Sequence, residues 1–526
     1  MRVFNNIMGN CADSNNQYRN DKNTSSNIYN VSSLQANYTP VNCFMYPPTT
    51  SNSNPYAYKT YSIHEKDDSP LTPIYKANPD GPPYIVQADI LFAWSSFKSH
   101  KNDHHDIPCA LILTAPDQPI SLRCGVDIIC VIDVSGSMEE DRKLILVKRT
   151  LNFMISQLNE LDRICIISFN DHAKKLMPLI IMNNQGKAFA ATVVNSLTPC
   201  GGTNIVEGLE FALTVALNRT MVNYTLDVLI LSDGVDSHQE SSIYRARACF
   251  ELFESKNISY SVHAFGYGHH HDSHLLGDIA HIKNGGFYYI EEPEDICHAF
   301  SHSLGEILSV VSRDIKVSLV LLPCPIPFSL SKVHSECGTV NFRLPNLSSG
   351  TTKEAVFELS FPPCLIQLTN CVISPLKAYI TFIMVSTGEI ITLERDLSIE
   401  IRNNNSRIEL FKGVMIHFFR VRTAEVMRIA GELGLQHRFN EARGMVEGAI
   451  KTLKKCEYHN DAIIKALIHD LEICKHKLRD RGAWDRGGHA HFRHIHHGHW
   501  AKRAERHDVY QNAQQKNLRL QSINYF

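Results

Sequence analysis

Between residues 126 and 312 the apolar positions alternate between two patterns. DIICVID, ICIISF, DVLILS and SYSVHAF are short solid runs bounded by turn residues, the mark of strands buried on both faces. Between them, residues 142–158, 206–217 and 243–255 place apolar side chains at helical spacing. This alternation predicts a doubly wound, Rossmann-like α/β domain: a mostly parallel sheet with helices on both faces.

The flanks read differently. KVSLVLL, TVNFRL, AVFELSF, AYITFIMV and IITLERDLSIEI, within 315–402, are strands punctuated by Pro, Gly, Ser and Asn, a β-sandwich pattern. The set is short of strands for a self-sufficient sandwich. YIVQADILFAW and CALILTA, at 84–115, are expected to supply the rest, with the α/β domain inserted between them. Beyond residue 405, Ala442, Met445, Val446, Ala449, Ile450 and Leu453 form one apolar stripe, and Ile464, Leu467, Leu471, Cys474 and Leu478 form another. Each suits one face of a helix, and together they predict a packed helical hairpin. Residues 1–82 are rich in Asn, Ser, Thr, Tyr and Pro and are expected to be disordered. The expected layout is therefore a tail at 1–82, sandwich strands at 83–125, the α/β domain at 126–312, the sandwich at 313–404 and a helical carboxyl-terminal region at 405–526.

Composition narrows the function classes. Among 526 residues, 52 Lys and Arg against 54 Asp and Glu give a net charge of −2, so nucleic-acid electrostatics do not dominate and no nucleic-acid partner is expected. No run approaches the roughly 18 apolar residues of a membrane span, so no membrane partner is expected. MRVFNNIMGN lacks the apolar core of a secretory signal. The 15 cysteines are odd in number and contain no C-x-x-C pair, which argues against a disulfide framework, a zinc ribbon or a RING finger. A reduced, cytoplasmic location is the simplest reading.

One constellation carries chemistry. The strand DIICVI runs into Asp133-Val134-Ser135-Gly136-Ser137-Met138; Gly201-Gly202-Thr203-Asn204 precedes a helix; Ser232-Asp233-Gly234 follows the strand DVLIL. In an open parallel sheet all three lie at the carboxyl edge, where ligands bind. Asp133 and Asp233 offer carboxylates, and Ser135, Ser137 and Thr203 offer hydroxyls. An all-oxygen set suits a hard divalent cation, and a site that leaves room for water suits Mg²⁺ better than Ca²⁺, with Mn²⁺ as the alternative.

DVSGSM, GGTN and LILSDG together resemble the D-x-S-x-S…T…D pattern of von Willebrand factor type A (vWA) domains, over about residues 126–312. The resemblance implies a metal-ion-dependent adhesion site. Ser135, Ser137 and Thr203 would be ligands, Asp133 and Asp233 would bind directly or through water, and a Glu or Asp carboxylate of a protein partner would complete the shell. The segment from His263 to Val311, the motif LRDRGAWDRGGHA at 478–490 and VYQNAQQKNLRLQS at 509–522 resemble intracellular vWA proteins with a Vwaint-type (vWA/Hedgehog intein-like) carboxyl-terminal region. Some plant members of that group are ubiquitin ligases with an amino-terminal RING. Before residue 83 this chain has only Cys11 and Cys43, which cannot build one. G-x-S-x-G, H-E-x-x-H, P-loop and G-x-G-x-x-G motifs are absent. The expectation is a non-enzymatic, metal-dependent adaptor. The alternatives are a RING-less relative of the ligases acting with a ligase in trans, and a secreted adhesion protein, which the missing signal opposes.

Two histidine-rich runs complete the picture. His269, His270, His271 and His274 fall in a loop at the same sheet edge, and His489, His491, His494, His496, His497 and His499 fall near the carboxyl terminus. Both read as solvated segments, with transition-metal binding as the sharper alternative.

Overall fold

The computed structural model describes residues 85–525 apart from 94–95, 99–104, 238, 255, 257, 293–294, 323–328, 331–338, 362–370, 403–410 and 504–507. The tail expected at 1–82 lies outside the described residues.

The α/β domain holds a six-stranded sheet in the order β6-β5-β4-β7-β8-β9. Its strands are β4 (Val126–Asp133), β5 (Arg163–Phe169), β6 (Ala173–Ile181), β7 (Thr225–Ser232), β8 (Ser261–Tyr267) and β9 (Phe287–Ile290). All neighbours are parallel except β5 and β6. Every residue of β4 is buried, as a solid apolar run between two helical layers requires. The period of two divides its side chains. Ile128, Cys130 and Ile132 enter the core with α1 (Lys143–Gln157), α2 (Asn184–Asn195) and α6 (Asp295–Ile307). Ile129 and Val131 enter the opposite core with α3 (Ile205–Leu217), α4 (Gln239–Glu254) and α5 (Ser273–Ile282).

The β-sandwich is built from both sides of this domain. One sheet runs β1 (Gln87–Phe92), β3 (His105–Thr114), β14 (Thr352–Phe361), β11 (Ser329–Leu330). The other runs β12 (Thr339–Leu344), β10 (Val310–Leu321), β15 (Cys371–Met384), β16 (Ile390–Arg402), β2 (Ser96–Lys98), with β13 (Leu347–Ser348) on β10. β1 pairs antiparallel with β3, and β3 joins β14, about 240 residues later in the chain, with Leu111 opposite Ala355 and Cys109 opposite Phe357. Ile107, Cys109, Leu111 and Leu113 face the sandwich core, while Ala110 and Val356 face away from it, into the helical region.

That region comprises α7 (Lys412–Leu435), α8 (Phe439–Lys455), α9 (Ala462–Lys477), the short α10 (Arg481–Asp485), α11 (Gly488–Ala501) and α12 (Ala513–Tyr525). The two apolar stripes form α8 and α9 and pack with α7. α12 returns to the α/β domain: Leu518 joins its core, and Gln515 Nε2 donates to His302 O at 3.1 Å. Among the described residues no helix is long and apolar enough to cross a membrane.

The solvated reading holds for His269, His270 and His274, which are exposed, and is corrected for His271 and for the carboxyl-terminal run. His491, His494, His496 and His499 on α11 are buried between α7 and the α/β domain. His496 Nδ1 lies 2.9 Å from Ala424 O on α7, and His494 Nδ1 lies 2.9 Å from Phe287 O on β9. His274 of α5 stacks on His489 at 4.1 Å, and His271 is buried. The helix is covered all round, with no exposed residue, which its polar composition hides: imidazole is apolar enough to pack when its nitrogens find partners. Among the described residues, no three His, Cys, Asp or Glu side chains gather as a metal-binding group.

Candidate metal centre

Three loops meet where β4 and β7 end. Beyond β4, Val134 N donates to Phe169 O at 2.9 Å, and Cys200 N donates to Val134 O at 2.6 Å. Gly136 N donates to Gly201 O at 3.0 Å, joining the first loop to the Gly-Gly turn. Gly201 sits at φ +80, and a Cβ there would lie 2.7 Å from Asp171 Oδ2. Both the backbone and the space therefore call for glycine. Asn204 caps α3 through Oδ1, which accepts from Glu207 N at 3.2 Å. Asp236 locks the same turn to the β7 loop: Oδ2 accepts from Ile205 N at 2.7 Å and Oδ1 from Ser242 Oγ at 2.5 Å. Ser237 N and Oγ both donate to Thr203 O, at 2.8 and 2.6 Å.

Inside this frame the five sequence-selected residues come together. Asp133 is fully buried; its carboxylate accepts from Ser135 N at 2.8 Å and Ser232 Oγ at 2.5 Å. Burial pushes Asp133 up to about 6, with the Ser232 and Ser135 hydrogen bonds pulling the other way. Ser135 Oγ and Ser137 Oγ are 3.1 Å apart, and Ser137 Oγ donates to Asp233 Oδ1 at 2.8 Å. Thr203 is reached through Gly234, where a Cβ would lie 2.8 Å from Thr203 Oγ1.

Two functional neighbours were missed by reading motifs alone. Ser232 reads in sequence only as part of a turn, yet its hydroxyl holds Asp133. Lys143, the first residue of α1, places Nζ 2.7 Å from Asp233 Oδ2, with its side chain 15% exposed against 0% for the carboxylate. Its position six residues after Ser137 gave no signal, because an irregular turn with Asp141 and Arg142 at positive φ lies between them and sets its direction. The arrangement is an acidic, oxygen-only cluster with one ammonium beside it, chemistry suited to a hard cation.

Residues 127–301 match the family model of the von Willebrand factor type A domain. This segment is a vWA domain. VWA domains commonly hold a divalent cation at this motif and mediate protein–protein contacts. The fold agrees with that of a von Willebrand factor type A protein from Catenulispora acidiphila, at a TM-score of 0.56 and 14% identity over 74% of this chain and 90% of that one. Around the vWA domain the likeness extends to E3 ubiquitin-protein ligase WAV3 of Arabidopsis thaliana, 27% identical over 359 residues, 64% of this chain and 45% of the relative. Probable E3 ubiquitin-protein ligase WAVH2 of the same plant is 26% identical over 239 residues, 44% of this chain and 30% of the relative. The chain spans less than half the length of these curated relatives. The expectation of a non-enzymatic chain is overturned by these plant relatives, which are named as E3 ubiquitin-protein ligases and so as enzymes.

Proposed function

We propose that the chain recognises proteins through a divalent cation at the vWA mouth and does so in ubiquitin ligation. The observation that carries the metal reading is the convergence of Asp133, Ser135, Ser137 and Asp233 in one hydrogen-bonded chain with Thr203 alongside. Ser135, Ser137 and Thr203 would ligate Mg²⁺ or Mn²⁺, with Asp133 and Asp233 direct or through water. The ion supplies an electrophilic point for an incoming oxygen anion. Two carboxylates at most neutralise it and three hydroxyls add no charge, so a Glu or Asp carboxylate of the partner gains a charge-assisted contact there. The ligase reading rests on the relatives named as E3 ubiquitin-protein ligases. In this reading the mouth selects the protein to be modified.

The same proposal includes a cytoplasmic site of action, a Vwaint-type identity for the carboxyl-terminal region, and the layout 1–82, 83–125, 126–312, 313–404 and 405–526. The test is affinity capture of partners in Mg²⁺ and in EDTA with wild type and Asp133→Ala, followed by ubiquitin-transfer assays on the captured proteins. Expected are capture that needs both the ion and Asp133, and ubiquitin transfer to the captured protein. Equal capture in both buffers, with a folded Asp133→Ala protein capturing normally, would overturn the metal reading. Metal-dependent capture without transfer would overturn the ligase reading alone.

A further inference from the structure

The vWA domain, the sandwich and the helical region meet at an open cleft. Asn284 follows α5 on one wall, Arg343 and Lys353 lie on β12 and β14, and Arg420, Lys502 and Arg503 come from α7 and the end of α11. The charges do not balance locally. Arg503 grips Glu306 through Nε and Nη2 at 2.7 and 2.8 Å and donates to Gly285 O at 2.9 Å. Lys502 Nζ donates to Thr352 O at 3.0 Å, Thr352 Oγ1 at 2.7 Å and Glu354 Oε1 at 2.8 Å. Arg420 donates to His499 O and Trp500 O at 2.6 and 2.9 Å and reaches Glu354 Oε2 at 3.4 Å. Glu306 and Glu354 thus serve three cations before Lys353 is counted.

Lys353 has the weakest contacts of the four. It is 7% exposed, yet its ammonium has only Ala501 O at 3.3 Å and Glu306 Oε1 at 3.5 Å. Burial pushes it down to about 8; Glu306 opposes the shift, and Arg503 and Lys502 add to it. Arg343, at the rim, lies 3.8 Å from Asp314 Oδ1 with its side chain 45% exposed. Asp227, also buried, lies 3.3 Å from His263 Nε2 through Oδ1. Surplus buried positive charge is costly unless an anion offsets it. A phosphoryl group brings about two negative charges and three strong acceptor oxygens.

We propose that this cleft is a binding site for a phosphate-type dianion, held by Lys353 and Arg343 beside Asn284, and that the anion ties the three parts of the chain together. The dianion could be inorganic phosphate or one phosphoryl group of a polyphosphorylated small molecule, and these share the same chemistry at Lys353.

The full chain is melted in EDTA, which removes the vWA ion, in sodium chloride, sodium phosphate or inositol hexakisphosphate at matched ionic strength. Wild type should melt about 2 °C higher in saturating phosphate than in chloride. A larger rise at lower concentration in inositol hexakisphosphate would identify a polyphosphorylated ligand, and a rise in inorganic phosphate alone would identify the free ion. Lys353→Met should lose the rise while melting in chloride no lower than wild type, because it removes surplus charge and leaves the Arg503–Glu306 pair intact. Arg343→Gln, a rim change that should not disturb folding, should weaken the response at least threefold in concentration. It decides the matter if Lys353→Met does not fold. Equal melting of wild type in all three salts, or an unchanged phosphate response in the folded variants, would overturn the proposal.

Discussion

At the scale of single residues, Lys143 is the side chain with the most consequence for the vWA mouth. Its ammonium sits 2.7 Å from Asp233 and also 4.0 Å from Glu140, so it offsets part of the negative charge that a cation would use. Lys143→Met removes that competing charge and leaves every proposed ligand in place. We expect Mg²⁺ affinity, measured by calorimetry, to rise about tenfold, corresponding to about 1.4 kcal/mol. Unchanged affinity would mean that the ammonium swings clear when the ion enters. The five oxygen-bearing residues were legible because their loops each follow a recognisable strand or precede a capped helix. Lys143 was not, because the direction of its side chain depends on a turn with two residues at positive φ rather than on any periodic pattern.

At the scale of elements, α11 is the informative case. It lies against α5 and β9 on one side and α7 on the other, and its face is lined with imidazoles. Burial lowers His281, His489 and His496 each to about 3, with neighbouring histidines or Arg493 adding to the effect. The groups facing them include Arg493, which pairs with Asp278 and whose Nη1 lies 2.9 Å from His274 Nδ1. These histidines are therefore neutral in the folded protein and protonate near pH 6.5 once unfolded. Between about 6.5 and 3 the unfolded chain binds more protons, so stability falls as the pH is lowered through that window and is fully retained above it. Each buried histidine contributes a loss of about 1 kcal/mol per pH unit there. Melting between pH 7.5 and 5 should show a steep fall below 6.5, and replacing His496 by Gln should flatten it. A flat profile would show that the imidazoles are hydrated. The helical stripes of α8 and α9 were read correctly because a 3.6-residue period survives in sequence. The burial of α11 was not, because histidine looks polar in composition and reveals its packing only beside a partner.

At the scale of the whole molecule, the chain is sewn together by contacts between segments far apart in sequence. Glu306 at the end of α6 holds Arg503, 197 residues later, through two hydrogen bonds, with both side chains almost wholly buried. The Arg503, Lys353 and hydrogen-bond contributions, working against burial, hold the Glu306 carboxyl well below the usual carboxylate range. Arg503→Met would leave that carboxylate buried with only Lys353 at 3.5 Å. A loss of about 3 kcal/mol in chemical denaturation is expected, and Arg503→Met combined with Glu306→Leu should recover most of it. Additive losses in the double variant would show that the two residues act independently.

The sequence by itself determined the vWA sheet, the carboxyl-edge loops and the presence of early strands outside the α/β domain. Each of these is written in periodicity or in spacing over a few tens of residues, where the backbone geometry alone fixes which side chains share a face. Tertiary structure decided that β3 pairs with β14 in one register, that Lys143 turns onto Asp233, that α11 is buried, and that cations from three regions share one cleft. These depend on which distant surfaces exclude water from one another, and hydrophobic burial and charge pairing between distant segments carry no local period to read.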